Sequence, residues 1–222
     1  MKTLILGSKG QLGRELCGIF ASEGEVVGAD LPELDIVDPG SVEALVARVA
    51  PELVINAAAY TDVEGAEDDR DGAFAVNETG ARNVAAAARA AGAPVVYYST
   101  DYVFFGAQDT AFEPDAPIMP RGAYAKSKAA GEEATRRANP KHFIIRTAWL
   151  YGPGGNNFVE KILRAADARP ELKVVQDEVG SPTHTFDLAE ATEALCKTTA
   201  YGNYHAVNEG RCSRFEFTRE IF

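Results

Sequence analysis

Five short apolar runs, each separated from the next by a longer stretch with helical spacing, decide most of what this chain can become. "TLIL" (3–6), "EVVGA" (25–29), "ELVIN" (52–56), "PVVYYS" (94–99) and "HFIIRT" (142–147) lack the polar alternation of a half-exposed strand, so each predicts a strand buried on both faces. Between them "QLGRELCGIFASEG", "SVEALVARVA", "FAVNETGARNVAAAARAAG" and "AYAKSKAAGEEATRRAN" carry helical periodicity, with stops at Gly92-Ala93-Pro94 and Asn139-Pro140. Strands alternating with helices imply βαβ units, hence an α/β fold with a Rossmann-type, doubly wound parallel sheet.

Past residue 150 the punctuation changes to the turn-rich "YGPGGNN" and "DEVGSPTHT". Weaker elements follow: a helix near 156–168, a strand "LKVV" (172–175), a helix near 185–199, a strand "NYHAV" (203–207) and a helix from about Ser213. We therefore expect a cofactor-binding domain over 1–150 and a partial, smaller substrate lobe over 151–222, interleaved with the end of the sheet. The last helix, patterned for burial, runs straight to Phe222 without a cap, which leads us to expect a truncated form.

The first strand runs into "LGSKGQLGREL", which sets Gly7, Gly10 and Gly13 three apart at a strand-to-helix junction. Glycine there lets the backbone turn tightly and approach a diphosphate, whose charge then rests on the helix N-terminus. Asp30 ends the second strand about twenty residues later, where an acid accepts hydrogen bonds from an adenosine ribose and disfavours a 2′-phosphate. The expected cofactor is NADH or NADPH, with the acid favouring NADH. Asp35 and Ile36 in "LDIVD" offer a polar edge and an apolar face for an adenine.

"YYSTDYVF" passes from the buried fourth strand into Ser99, Thr100, Asp101 and Tyr102, polar groups at the strand end where open α/β sheets bind ligands. On the next helix Tyr124 and Lys128 lie one turn apart on one face. A phenol is a weak acid–base near neutral pH, and a nearby ammonium favours its ionised form. Taken alone the pair is an ordinary solvated helix face. With the glycine loop and Thr100 it reads as a proton-transfer centre, Tyr124 the donor, Lys128 its neighbour and the holder of a nicotinamide ribose, Thr100 the hydrogen-bond donor to the substrate oxygen.

The net charge of −11 and pI near 4.8 exclude the basic footprint of nucleic-acid binding. Cys17, Cys196 and Cys212 are odd in number and lack ligand spacing, which fits a reducing cytoplasm. No apolar run approaches membrane-spanning length, so neither a membrane nor a secretory route is expected. The acidic run "EGAEDDRD" (64–71) reads as a helix start, and His142, His184 and His205 are scattered without ligand-spaced partners. "GPGGNNF" opens a helix where phosphates of a nucleotide sugar would sit. Arg146, leaving the fifth strand, would serve those phosphates or equally form a structural ion pair.

Together "LGSKGQLGREL", "VINAAAYTDVEGAE", "YYSTDYVFFG", "YAKSKAAGE", "IIRTAWLYGPGGNNFV" and "VVQDEVGSPTHTFDLAEA" make the chain resemble the extended short-chain dehydrogenase/reductases, and within them the dTDP-4-dehydrorhamnose reductases, over nearly its whole length. The resemblance implies reduction of the C4 ketone of dTDP-4-dehydro-L-rhamnose to dTDP-L-rhamnose, a step toward cell-surface polysaccharide. It implies Thr100, Tyr124 and Lys128 as catalytic residues. It places cofactor contacts at Gly10, Gln11, Leu12, Asp30, Asp35, Ile36, Ala57, Ala58, Ala59 and Tyr98, beside the loop glycines Gly7 and Gly13. It gives Asp101 and Trp149 to the dTDP-sugar substrate, with the indole a flat wall for a deoxysugar.

Some members dimerise around a magnesium ion held by glutamates, which makes a homodimer an expectation here. Glu15 and Glu190 sit at matching positions, but both fall on predicted helices where exposed glutamate is ordinary, so no metal is assigned. Three departures stand out: Phe105 replaces an aspartate or small residue, Ala125 a glycine, and Arg214 an aromatic. Two alternatives share the cofactor loop. A sugar-nucleotide dehydratase or epimerase needs a further acid after Thr100, where this chain has Asp101 and then Tyr102. A non-catalytic regulatory subunit would be free to lose Tyr124 or Lys128, and both are kept.

Overall fold

A computed structural model describes residues 1–105 and 110–222; Gly106, the end of the "YYSTDYVFFG" motif, lies outside them. Six parallel strands form the main sheet: β1 (Lys2–Leu6), β2 (Glu25–Ala29), β3 (Leu53–Asn56), β4 (Val95–Thr100), β5 (His142–Thr147) and β9 (Gly202–His205). Their spatial order is β2-β1-β3-β4-β5-β9. Four two-residue strands complete the set: β6 (Leu150–Tyr151) pairs with β8 (Thr183–His184), and β7 (Val179–Gly180) with β10 (Cys212–Ser213).

Helices cover both sheet faces, as the unbroken apolar strands require. α1 (Gln11–Phe20) and α8 (Thr185–Cys196) pack over Ile5, Ile55, Val96, Tyr98, Phe143 and Ile145. α2 (Pro39–Val49), α5 (Ala81–Ala90) and α6 (Gly122–Ala138) cover the other face, where Leu4, Leu6, Val54, Val95, Tyr97 and Ile144 are buried. Each such aliphatic side chain contributes roughly 1.5–3 kcal/mol by leaving water. Two short helices, α3 (Gly65–Asp68) and α4 (Arg70–Phe74), precede a single π-helical stretch, Ala75–Gly80, that runs directly into α5. α7 (Phe158–Ala168) and α9 (Arg214–Ile221) belong to the C-terminal region, and α9 begins with a capping box between Ser213 and Glu216.

The expected strand "LKVV" is not formed. Residues 172–175 have no strand beside them, Val175 is exposed, and the one ladder-like contact there is the Phe215 amide donating to the Val175 carbonyl at 3.1 Å. A β-prone segment without a neighbour has nothing to pair with. The expected helix over 74–92 starts earlier, at Arg70, and widens to π geometry around Asn77. No helix of the described residues is long and apolar enough to cross a membrane.

Candidate functional site

The strand order reverses between β1 and β3, so a crevice opens at their carboxyl ends, the place where doubly wound sheets bind dinucleotides. Gly7 turns there with φ +76°, and a Cβ on it would lie 2.6 Å from the Ala58 amide nitrogen, so only glycine lets the loop close on Ala57 and Ala58. A Cβ on Gly13 would lie 2.0 Å from the Gly7 carbonyl oxygen, which fixes α1 tight against the loop. Gly10 is the α1 N-cap and offers no side chain. Its own amide donates to Gly7 (3.1 Å) and accepts, through its carbonyl, from Arg14 (3.0 Å); the amides of Gln11, Leu12 and Gly13 have no protein partner among the described residues. An uncapped helix start aimed into the crevice fits the diphosphate of a nicotinamide dinucleotide.

Asp30 stands at the end of β2 as predicted, and its carboxylate accepts from the Lys9 and Leu31 amides, both at 2.8 Å. It therefore holds the glycine loop to the strand end. Beside it a hollow of about 510 Å³ is lined by Ser8, Lys9, Ser41 and Arg48. Asp35 is exposed and caps the Val37 amide at 2.9 Å, while Ile36 is buried against Gly80. Ala57, Ala58 and Ala59 follow β3 along the crevice, half-buried. Two expected cofactor side chains are committed elsewhere. Tyr98 points into the α1/α8 layer, where its hydroxyl meets Thr192 at 2.8 Å. Gln11 turns its side-chain oxygen to the Asn157 amide (3.1 Å), leaving its backbone N–H as the group that faces the crevice.

Thr100 ends β4, and its hydroxyl donates to Asp101 (3.1 Å) while accepting the Tyr102 amide (3.2 Å). Opposite, α6 starts at Gly122 (φ +76°) without a side-chain cap of its own. The acidic run supplies one: the Glu67 carboxylate accepts the Ala123 amide at 2.7 Å, a contact the sequence pattern did not announce. α6 carries Tyr124 and Lys128 one turn apart, with Tyr124 toward the Thr100 hydroxyl. Burial pushes the Tyr124 phenol up to about 12, with the Thr100 hydroxyl pulling it down and the Asp101 and Tyr102 charges pushing it further up. Burial, not the ammonium, thus governs the phenol and keeps it protonated, the form a proton donor needs. Lys128 is buried with Nζ over the Tyr97 ring, 4.3 Å from its centroid, and desolvation lowers it to about 7 against the opposing pull of Glu132.

The π-helical turn earns its geometry here. It brings Asn77 to α6, where Nδ2 donates to Ser127 (2.9 Å) and Oδ1 accepts the Tyr60 amide (3.0 Å). Asn77 was not singled out from the sequence, because nothing in "FAVN" distinguishes it from an exposed polar residue.

Trp149 adopts φ +46°, a left-handed conformation that a bulky residue takes only under constraint. Gly180 lies directly behind it, where a Cβ would come within 2.5 Å of the indole. The Arg214 guanidinium covers the ring at 3.5 Å from the centroid and pairs with Glu178 at 3.2 Å. So the departure at Arg214 places a cation on the Trp149 wall. Asp101 joins it to the proton-transfer residues: burial raises its carboxyl, with Thr100 and Arg214 opposing. Tyr102 meets Tyr124 edge-on at 6.1 Å.

This assembly of uncapped glycine loop, strand-end acid, Thr–Tyr–Lys cluster and aromatic wall has close counterparts. The family model for the RmlD substrate binding domain matches residues 1–222. The dTDP-4-dehydrorhamnose reductase of Mycobacterium tuberculosis is 42% identical over all of this chain and 74% of its own length. The spore coat polysaccharide biosynthesis protein SpsK of Bacillus subtilis is 42% identical over 99% of this chain and 78% of its own length. The crystal structure of the Bacillus anthracis dTDP-4-dehydrorhamnose reductase in complex with NADP superposes with a TM-score of 0.95 at 42% identity, over the whole chain and 79% of that structure. With the sequence, the topology and the crevice all in agreement, the chain belongs to the dTDP-4-dehydrorhamnose reductase family.

Proposed function

We propose that this chain reduces the C4 ketone of dTDP-4-dehydro-L-rhamnose to dTDP-L-rhamnose with NADPH or NADH, in the cytoplasm. The observation that carries the reading is the half-buried Tyr124 phenol beside the Thr100 hydroxyl, one helical turn from the buried Lys128, at the strand end that faces the glycine-loop crevice. A reduced nicotinamide dinucleotide supplies hydride when bound. Gly7, Gly10, Gln11, Leu12 and Gly13 would hold its diphosphate through backbone amides, Asp30 its adenosine ribose, and Ala57–Ala59 the inner wall.

Thr100 donates a hydrogen bond to the ketone oxygen, and Tyr124 gives the proton that neutralises the developing alkoxide. Lys128 would hold the nicotinamide ribose, and its ammonium favours the phenolate that proton donation leaves on Tyr124. Asp101 and Trp149 orient the sugar, the carboxylate on its hydroxyls and the indole on its apolar face. Residues 1–150 serve the cofactor and 151–222 the sugar nucleotide. The charge of −11 supports a small-molecule substrate over a nucleic acid, and the three free cysteines fit a reducing compartment.

The test is direct: the purified protein is given dTDP-4-dehydrorhamnose with NADPH or NADH, and nucleotide oxidation and the product sugar are followed. Turnover is expected, and none from cofactor-saturated protein would overturn the reading. Asp30→Ser removes one acid from the hollow and leaves Lys9 and Arg48 there, with Glu33 paired to Lys9 at 2.9 Å. The ratio of kcat/KM for NADPH over NADH should therefore rise, by about tenfold for each 1.4 kcal/mol of repulsion removed. An unchanged ratio would mean that Asp30 does not face the ribose.

A further inference from the structure

One strongly charged cluster has no part in the chemistry just described. Glu132 on α6 and Arg146 on β5 are 0% and 4% exposed. Arg146 donates from Nε and Nη2 to the two carboxylate oxygens at 2.8 and 2.7 Å, a bidentate fork. Its Nη1 donates to the Pro114 carbonyl at 2.9 Å, and its plane covers Phe104 at 5.0 Å. Phe104 in turn stacks on Phe112 at 4.4 Å and meets His205 of β9 edge-on at 5.6 Å.

Five parts of the molecule therefore converge on one fork: the catalytic helix, two neighbouring strands, and both flanks of the segment that leaves Thr100 and Asp101. Such a pair is a poor way to gain stability, because desolvating two ions cancels most of their attraction and an apolar pair of the same volume does as well. What a fork of fixed geometry provides is position. Glu132 also lies one turn beyond Lys128 on the same helix.

We propose that Glu132 and Arg146 are positioning residues of the proton-transfer site: the fork locks α6 to β5 and to the Phe104 and Pro114 flanks, and holds the Glu132 carboxylate one helical turn from Lys128. Around Lys128, Tyr124 and Glu132 lie one turn away in either direction along its own helix, the Tyr97 ring of β4 lies under Nζ, and both Arg146 of β5 and Arg136 of α6 reach the Glu132 carboxylate, the latter at 3.9 Å. Glu132 is the one whose charge raises the lysine. The proposal rests on the reductase reading for its kinetic arm alone.

Lys128 is lowered from 10.5 to about 7 in the folded protein, so between these values the unfolded chain binds the extra proton and stability rises with pH. In Glu132→Gln the lower edge of that window should move down by about one pH unit, as loss of a nearby opposite charge does. Urea midpoints of the cofactor-free protein, measured against pH for wild type and variant, read it. The high-pH limb of kcat/KM should move down by the same amount, since the ammonium is the working form. A Glu132→Gln chain left with an unpaired Arg146 that does not fold is replaced by the Glu132→Gln/Arg146→Met double variant, which removes both charges at similar volume. Its window should move down by less, because the Arg146 cation that opposes the Lys128 ammonium is gone too. Stability profiles that coincide with wild type would overturn the proposal, whereas a wild type without turnover would sink the reductase reading and leave the stability arm to decide.

Discussion

Tyr124→Phe is expected to lower kcat for the sugar-nucleotide ketone by about 10²–10⁴-fold, the usual contribution of a positioned general acid. The substitution removes one oxygen and keeps the ring that meets Tyr102 edge-on at 6.1 Å, so the fold has no reason to respond. Affinity for the dinucleotide should stay within a few-fold, because the loop amides and Asp30 are untouched. Steady-state kinetics beside a fluorescence titration of the reduced nucleotide separate the two quantities. Turnover near wild type would show that the proton comes from elsewhere, and a collapse of nucleotide affinity would make Tyr124 a binding residue instead.

Gly131→Ala should be among the most damaging single methyl additions in the molecule. Its Cβ would lie 2.1 Å from the Asn77 carbonyl oxygen and 2.2 Å from the Tyr97 hydroxyl, where the first is backbone and the second belongs to a ring that is 1% exposed. Neither can yield without moving α6 or the π-helical turn. We expect a loss of about 3 kcal/mol, at the upper end of overpacking costs. Because Tyr97 also donates to the Lys128 carbonyl at 3.3 Å, kcat should fall although Gly131 lies outside the crevice. Gly18→Ala is the control: it lies inside α1 with nothing within 4 Å of the new methyl, and should stabilise by about 0.5–1 kcal/mol. Urea unfolding of the three proteins checks both signs, and equal midpoints for Gly131→Ala and wild type would refute the packing argument.

Apolar runs that a parallel sheet must bury, and helices long enough to show their period, could be read from the chain, which is why all six main strands stand within two residues of where they were expected. The glycine loop and the Tyr124/Lys128 spacing were legible for a different reason, since each is a local geometry written in consecutive residues. What stayed hidden depends on tertiary partners. Glu67 looks like any acid of a charged run until α6 arrives to be capped. Asn77 has meaning only once a widened turn delivers it to Ser127. "LKVV" has strand-like residues but no strand to lie beside, and Tyr98 was assigned to the crevice although Thr192 takes its hydroxyl.

The loop over residues 152–157 is gripped from the cofactor side. Arg14 donates to the Lys9 carbonyl at 2.8 Å and to the Gly154 carbonyl at 2.6 Å, and Gln11 accepts from Asn157 at 3.1 Å. One helix turn therefore carries both the amides proposed to receive the dinucleotide and the side chains that hold the start of α7. The two ligands are then thermodynamically linked: whatever factor the dinucleotide adds to sugar-nucleotide affinity, the sugar nucleotide returns to the dinucleotide. Cutting Arg14 back to alanine should bring that factor toward one.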